Sequence, residues 1–183
     1  MKRIPTFLVL LGVLLLPLRL RADSIFTATL TGAQENPTTG STATGSGTVI
    51  LNAAQDMITV DLSWVGLVGP ATAAHIHCCA PPGVSAGVLF PFSGVPAATS
   101  GSIPEQTFVI TPLEVSELEA GLMYINIHDA AFPGGEIRGQ ILPAATPEPA
   151  SLALLAFGLV FVRLFLAKNS GLNTGVRHSW TGR

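Results

Sequence analysis

The feature that most constrains the fold is the alternation of apolar and polar side chains that recurs through residues 24–142. In residues 26–31 and again in residues 58–64, apolar side chains alternate with threonine, serine or aspartate. Because successive side chains of an extended chain point to opposite faces, such runs predict strands with one buried face. Turns rich in glycine and proline, such as residues 81–83 and 133–135, separate seven or eight runs of this kind. The predicted fold is therefore all-β, an antiparallel Greek-key β-sandwich or β-barrel.

One short helix is expected among the strands. Residues 113–120 contain three glutamates, and Gly121 follows them directly. Acidic side chains stabilise the first turns of a helix, and a glycine commonly ends one. We therefore expect a short helix that ends at Gly121.

Both ends of the chain carry apolar segments that lie outside the predicted β-fold. Lys2 and Arg3 precede an apolar run, which is the pattern of a secretory signal peptide with its helix. Near the other end, an apolar stretch of 17 residues has a helical length of about 25 Å, just short of a comfortable bilayer crossing. The predicted segments are a signal peptide at 1–22, a folded domain at 23–143, a linker at 144–150, a hydrophobic transmembrane or sorting helix at 151–167 and a polar tail at 168–183.

Pro147, Glu148 and Pro149 stand in the linker, shortly before the apolar helix. Together with that helix and a basic residue, they resemble the PEP-CTERM sorting signal of Gram-negative bacteria. The resemblance implies an exosortase-type processing enzyme, a membrane-anchored precursor and delivery to the outer envelope, the cell surface or the extracellular space. The ending departs from the usual arginine cluster, since Arg163 and Lys168 are followed by a polar tail. A simple C-terminal membrane anchor is the alternative.

Charge in the predicted folded domain is almost entirely negative. Residues 23–143 contain ten acidic side chains and one basic side chain, Arg138, which gives a net formal charge of −9. Such a surface repels phosphate backbones, so we expect no nucleic-acid partner. A single cation among ten acids indicates either a role in a functional site or a structural ion pair with Glu136 or Asp129.

Three segments of the folded domain alternate small or branched apolar residues with polar ones. The polar members are His75 and His77 in the first segment, Asn126 and His128 in the second, and Glu136, Arg138 and Gln140 in the third. If the three strands are neighbours in the sheet, these side chains converge on one surface. That surface is the candidate functional site.

Two interpretations of this surface remain open. The first is a metal site, because the imidazoles of His75, His77 and His128 suit a copper or zinc ion. Backbones of residues two apart on a strand are separated by about 6.6 Å, so two of these rings must lean together to share an ion. The second interpretation is a structural polar patch in which the histidines hydrogen-bond to neighbouring groups. Its other members are Asn126, Glu136 and Arg138.

Cys78 and Cys79 are the only cysteines, and they follow His77 directly. If the strand continues, Cys79 lies on the histidine face, where a thiolate is a soft ligand that favours copper(I). The other interpretations are a bridge between the two neighbours, an intermolecular disulfide in an oxidising compartment, and free thiols. For Cys78 we favour a redox or structural pairing over metal ligation. For Cys79 we give pairing and metal ligation equal weight.

Four stretches, residues 26–37, 73–77, 121–128 and 133–140, together resemble the CHRD (chordin) domain. They occur in the family's order and extend over nearly all of the predicted folded domain. The resemblance implies an extracellular all-β domain. It assigns no reaction, and likeness of fold alone cannot supply one.

A weaker likeness is to the copper/zinc superoxide dismutase sandwich, which also has a His-x-His strand and an arginine near the metal. In that likeness His75, His77 and His128 stand for copper ligands, and Arg138 stands for the anion-guiding residue. The only other histidine, His178, lies in the tail, so the second histidine cluster of that family is missing. We therefore expect no dismutase activity.

Motifs for other chemistry are weak in this chain. No serine stands in a nucleophile-elbow context, and no glycine run lies between a strand and a helix to hold phosphate. We therefore expect an exported module that is anchored at or sorted to the envelope and binds components of the cell surface or extracellular matrix. We favour a non-enzymatic role for it. The alternative is a mononuclear copper-binding protein, a carrier or a redox protein, with a three-histidine site.

Overall fold

The computed structural model describes residues 21–145, 157–160 and 162–163. The chain divides into two units, Met1–Ala144 and Ala145–Arg183. The predicted signal peptide lies outside the described residues except for its last two positions, and the Pro-Glu-Pro motif and the polar tail lie outside them entirely.

Within residues 21–145, the first unit forms a single antiparallel sheet of nine strands. The strands are β1 Ser24–Thr31, β2 Thr44–Leu51, β3 Met57–Val65, β4 Ala71–Cys78, β5 Gly87–Pro91, β6 Gly101–Val109, β7 Tyr124–Asp129, β8 Ile137–Gln140 and β9 Leu142–Pro143. Their order across the sheet is β5-β4-β7-β8-β1-β2-β3-β6, and β9 pairs with β1. The prediction of an all-β antiparallel fold is confirmed.

The order of the strands explains how distant segments become neighbours. β1, β2 and β3 form a meander in which each strand pairs with the next. The later strand β8 returns to lie beside β1, which is an arrangement of the Greek-key type. As a result β4, β7 and β8, the three strands with the polar segments, lie side by side.

The two outer strands of the sheet approach each other and nearly close it into a barrel. Phe90 of β5 stacks on Phe108 of β6 with ring centroids 4.9 Å apart, and Phe92 meets the same ring edge-on at 5.7 Å. The side-chain amide of Gln106 donates a hydrogen bond to the carbonyl of Ser93 at 2.7 Å. Of the two predicted architectures, the structure is thus closer to a barrel than to an open sandwich.

Alternate side chains of the strands fill the interior of this barrel. In β3 the burial pattern follows the predicted alternation, with Ile58, Val60, Leu62 and Trp64 buried. The isoleucines that alternate with the polar segments are also fully buried; they are Ile76, Ile125, Ile127 and Ile137. Each such side chain contributes about 1.5–3 kcal/mol of transfer free energy, which fixes the face that the strand turns inward. The polar side chains of the same strands must therefore point outward.

The predicted short helix is present as α1, Pro112–Glu119. Thr111 caps it, because its side chain accepts from the backbone N–H of Glu114 while the Glu114 carboxylate accepts from the backbone N–H of Thr111. Gly121 follows with a φ of +71°, a left-handed conformation that suits glycine at a helix end.

In the second unit, residues 157–160 and 162–163 are helical, and they belong to the predicted hydrophobic helix. Among the described residues no helix has the length and apolar character needed to span a bilayer.

Candidate functional site

The neighbouring strands β4, β7 and β8 bring the three polar segments onto one surface. His75 lies opposite Asn126, and Asn126 in turn lies opposite Arg138. His77 lies opposite Tyr124, and His128 lies diagonal to His75 because its direct partner is Ala73. The outward face of these three strands therefore holds histidine, asparagine, tyrosine and arginine side chains in contact range.

Loops shield most of this outward face from solvent, and His75 is half-buried. The buried polar side chains of the domain are Glu35, His77, Asn126, His128, Asp129, Glu136, Arg138 and Gln140. Carbonyl groups of the covering loops accept hydrogen bonds from them, for example Ala86 from His77, Pro133 from His128 and Val84 from Arg138. The domain thus has a polar interior outside the barrel in addition to the apolar one within it.

His75, His77 and His128 form a compact cluster in which one ring nitrogen of each lies within 4.8 Å of the others. Nδ1 of His75 is 3.0 Å from Nε2 of His128. Asn126 joins the cluster, since its Oδ1 is 2.9 Å from Nε2 of His77 and 2.9 Å from Nε2 of His128. A cluster of three imidazoles at this spacing could hold a metal ion.

Hydrogen bonds to backbone carbonyls set the tautomers of two of these histidines. Nδ1 of His77 lies 2.9 Å from the carbonyl of Ala86, and Nδ1 of His128 lies 3.0 Å from the carbonyl of Pro133. A carbonyl only accepts, so each Nδ1 carries a hydrogen and, in the neutral ring, each Nε2 has a lone pair. Both lone pairs face Oδ1 of Asn126, which is also an acceptor. Two ring lone pairs and an amide oxygen therefore converge with no hydrogen of their own, and the donor within reach is Nδ1 of His75, 3.0 Å from Nε2 of His128, in the tautomer that carries a hydrogen there.

The surroundings of His75 and His128 favour the neutral form that binds metal. Burial, with smaller effects of the neighbouring His128 and His77, lowers the pKa of His75 to about 4. Burial also lowers the pKa of His128, although its hydrogen bond to Pro133 opposes the effect. Neutral imidazole is the ligand form, so neither ring needs to lose a proton at neutral pH before it binds an ion.

Arg138 lies beside the histidine cluster, and the predicted ion pair with Glu136 or Asp129 is wrong. Within residues 21–145 its guanidinium has no carboxylate within 4.0 Å. Instead it donates to the carbonyls of Val84 at 2.9 Å and Pro81 at 3.3 Å and to Oε1 of Gln140 at 3.2 Å. Because it is only 1% exposed, it cannot serve as the anion-guiding residue of the dismutase likeness.

Glu136 forms hydrogen bonds with residues outside the histidine cluster. Its carboxylate accepts from the hydroxyl of Ser41 and from the backbone N–H of Val68, while Asp129 accepts from the backbone N–H of Gly69. Burial raises the pKa of Glu136, and the neighbouring Asp129 raises it further, whereas the bonds to Ser41 and Val68 oppose this. Glu136 therefore holds the loops that contain Ser41 and Val68. Of the predicted patch of Asn126, Glu136 and Arg138, Glu136 has hydrogen-bond partners that the other two do not share.

Cys78 and Cys79 are joined to each other by a disulfide bond at the end of β4. Neither is a free thiol. Of the alternatives for this pair, the structure therefore shows the bridge between neighbours. It leaves Cys79 without a thiolate, and the group of candidate metal ligands contains the three histidines only.

Glu35 also lies in the site, although no sequence pattern predicted it there. It is 7% exposed, and its Oε1 is buried without a hydrogen-bond partner of normal geometry among the described residues. Burial raises its pKa, while the backbone N–H of Asn36, the charge of Arg138 and the amide of Asn126 lower it. The sequence feature that could have indicated Glu35 is its position in a turn directly after the first strand, within a stretch that carries the family resemblance.

The fold and the site define a small antiparallel β-barrel module with a covered polar surface outside its apolar core. Residues 26–141, more than half of the chain, match the CHRD domain, and the chain belongs to that family. It is therefore a β-fold module of the extracellular type. Searches of curated proteins and of solved structures found no match to the chain.

Proposed function

We propose that this CHRD domain is an exported cell-envelope module that holds one metal ion, copper in preference to zinc, at His75, His77 and His128. The observation that supports this best is the pair of Nδ1–H bonds to backbone carbonyls, which turn two Nε2 lone pairs towards one point. Histidine ligands of metals almost always donate their second ring nitrogen in this way.

The spacing of the nitrogens is close to what an ion requires. In a tetrahedral site with metal–nitrogen bonds of about 2.0–2.1 Å, two ligand nitrogens are about 3.3 Å apart. His75 and His128 are already 3.0 Å apart, and the widest separation in the cluster is at most 4.8 Å. Small ring rotations that draw His75 and His77 together complete the set.

The choice of copper follows from the donor atoms and the charge of the domain. Imidazole suits both copper and zinc, and divalent copper binds nitrogen donors more tightly than zinc does. The domain between Asp23 and Pro143 has a net formal charge of −9, which raises the local concentration of cations. The function that fits these features is carriage or redox cycling of a single copper ion.

Metal analysis of the purified full-length protein tests this proposal. We expect one equivalent of copper per chain after loading and dialysis, and an affinity that falls at least about tenfold in His75→Ala, which removes one ligand. His178→Ala is the matched control, because it removes the one histidine that lies outside the cluster in sequence. The absence of stoichiometric copper or zinc, with an unchanged affinity in His75→Ala, would rule the proposal out.

A second candidate, a module that binds matrix or cell-surface components, is supported by the acidic outer surface. The acids that are exposed or half-exposed are Asp23, Asp56, Asp61, Glu105, Glu114, Glu117 and Glu119. Arg138, the only lysine or arginine between Asp23 and Pro143, is buried. Such a surface suits basic partners, or polysaccharides that divalent cations bridge to it.

Retention of the protein on isolated cell envelopes tests the second candidate. We expect release as salt rises towards about 1 M, where the screening length is about 3 Å. Retention that is insensitive to salt, and to charge-removing changes such as Asp61→Asn and Glu105→Gln, would contradict an acidic binding surface.

For the C-terminal segment we propose sorting by an exosortase-type enzyme, which recognises the motif of Pro147, Glu148 and Pro149 before the apolar helix. The signal peptide then supplies export, and the helix holds the precursor in the membrane. The intact mass of the exported protein tests this, because processing removes the chain beyond about Pro149. Full-length protein in the membrane fraction would leave only the alternative of a simple anchor.

A further inference from the structure

We propose that Asn126 is a fourth ligand of the ion through Oδ1, and that Glu35 is the positioning residue that holds the Asn126 amide in this orientation. This inference rests on the proposed metal site of the three histidines. It adds an oxygen donor to that site and assigns a role to a buried carboxylate that the three-histidine site leaves unexplained.

The first observation is the position of the Asn126 amide. The side chain is 2% exposed, and its Oδ1 lies 2.9 Å from Nε2 of both His77 and His128. Its Nδ2 points the other way, towards the carbonyl of Gly134 at 3.5 Å. Oδ1 therefore faces the same two ring nitrogens that the proposed ion would bind.

The second observation is that Glu35 borders the opposite end of the same amide. A Cβ added to Gly135 would collide with Oε1 of Glu35 and would lie 2.8 Å from Nδ2 of Asn126. The carboxylate of Glu35 and Nδ2 of Asn126 thus both border Gly135, which has no side chain. The hydrogen bond from the Asn126 amide lowers the pKa of Glu35, and a carboxylate accepts hydrogen bonds, so the end of the amide that faces Glu35 is the N–H₂ end.

In either orientation, the amide leaves acceptors facing acceptors at one of its ends. If the amide were reversed, Oδ1 would face the Glu35 carboxylate and the Gly134 carbonyl, and acceptors would meet acceptors. In the orientation found, Oδ1 faces two ring nitrogens that have no hydrogen to give. A cation placed among Oδ1 and the ring nitrogens removes that conflict, and copper and zinc sites accept nitrogen and oxygen donors together.

Glu35 also acts on the charge of the loaded site. Three neutral imidazoles and an amide leave the full charge of a divalent ion uncompensated. Glu35 supplies one buried negative charge next to Asn126, and Arg138 is the nearest opposing cation that affects its pKa. A buried carboxylate behind a ligand of this kind typically increases metal affinity by 10- to 100-fold.

Cobalt(II) and copper(II) binding to the full-length protein test the inference. We expect Asn126→Ala to lower the affinity about 10- to 100-fold and to change the visible spectrum of the cobalt(II) form, because one oxygen donor is lost. Asn126→Asp keeps an oxygen donor at the same place and should preserve that spectrum. Glu35→Gln should lower the affinity by about tenfold or more, whereas Glu105→Gln, a change of an exposed acid, should leave it unaltered.

A double substitution separates positioning from a merely structural role. An aspartate has two equivalent oxygens and no amide to orient, so Glu35→Gln should cause a smaller loss of affinity in the Asn126→Asp background than in the wild type. The loss that remains there reports only the missing negative charge of Glu35. Thermal denaturation of each variant without metal checks that the fold is retained.

The outcomes distinguish this inference from the proposed function. If Asn126→Ala leaves cobalt(II) affinity and spectrum unchanged while His75→Ala abolishes binding, the three-histidine site stands and the fourth ligand is wrong. If Glu35→Gln lowers the affinity equally in both backgrounds, the positioning role is wrong. A wild-type protein that binds no metal overturns both.

Discussion

Tyr124 stacks face to face on His77, with ring centroids 4.7 Å apart and ring planes within 3° of parallel. Cζ of Arg138 lies 3.4 Å from the centroid of the same tyrosine ring. Since β7 lies between β4 and β8, the imidazole and the guanidinium approach opposite faces of the ring. The three side chains form one stack, which links the loop that binds Arg138 to the histidine cluster.

Replacement of Tyr124 should affect both stability and metal affinity. Tyr124→Leu removes the stack and leaves a gap between strands, so we expect a loss of about 2–4 kcal/mol in the free energy of unfolding and weaker copper binding. Tyr124→Phe removes only the hydroxyl contacts with the backbone of Ala86, a loss of about 1 kcal/mol, and should keep the metal affinity. Urea denaturation and metal competition measure the two effects. Equal behaviour of both variants would contradict the role of the stack.

Arg138 should be needed for the fold, since it donates to the carbonyl of Val84, to Oε1 of Gln140 and to the carbonyl of Pro81, which also accepts from the backbone N–H of Val84. Arg138→Lys retains the charge but cannot reach Val84, Pro81 and Gln140 together, so we expect a loss of about 2 kcal/mol or more in stability. Glu105→Gln, a change at an exposed side chain of the domain, is the control and should alter stability by less than about 0.5 kcal/mol. Chemical denaturation of both variants measures this. Arg138→Lys with wild-type stability would show that the guanidinium geometry is unimportant.

Gly135 and Gly134 offer a matched pair that probes the contact between Glu35 and Asn126. Gly135 has a φ of +128°, and a Cβ there would collide with Glu35, whereas a Cβ on Gly134 would meet nothing within 4 Å. We expect Gly135→Ala to cost about 2 kcal/mol or more in unfolding free energy and to weaken metal binding. Gly134→Ala should stay within about 0.5 kcal/mol of the wild type. Similar losses in both variants would mean that the loop tolerates neither side chain for another reason.

The lowered pKa of His75 predicts a pH dependence of stability in protein freed of metal by a chelator. Between pH 4, near its pKa of about 4 in the folded state, and the ordinary value of 6.5, the unfolded chain binds a proton that the folded protein does not. The free energy of unfolding therefore falls as pH is lowered through this window, and this contribution is level above it. His75→Gln cannot take up the proton.

Urea denaturation of wild type and His75→Gln at several pH values isolates this contribution. We expect the stability of the wild type relative to His75→Gln to decrease from pH 7.5 to pH 4.5, which spans most of the interval between about 4 and 6.5. A difference that is constant over this range would show that burial does not perturb His75 in the folded state.

The sequence allowed the strands and their faces to be predicted because alternation and burial are tied to each other locally. Ile76, Ile125, Ile127 and Ile137 are buried as the parity of their segments predicts. The same parity put the histidines on the opposite face, and the helix Pro112–Glu119 followed from its glutamates and its glycine.

Contacts between distant residues were harder to predict. An ion pair of Arg138 was predicted from charge alone. In the structure its guanidinium contacts loop carbonyls and an aromatic ring instead of a carboxylate. Glu35 was missed because its burial depends on loops that fold over it from other parts of the chain. Pairing of Cys78 with Cys79 was one of several open interpretations, since spacing along the chain does not fix the state of two neighbouring thiols.

The sequence by itself determined the period of the strands, the face that each turns inward and the negative charge of the domain, because these depend on residue type and local order. The tertiary structure alone decided which ring nitrogen of His77 and of His128 is free, since that depends on the carbonyls of Ala86 and Pro133. It also decided the partners of Asn126 and Glu35. Hydrogen-bond direction is set by groups that meet only when the chain folds, and no local pattern encodes it.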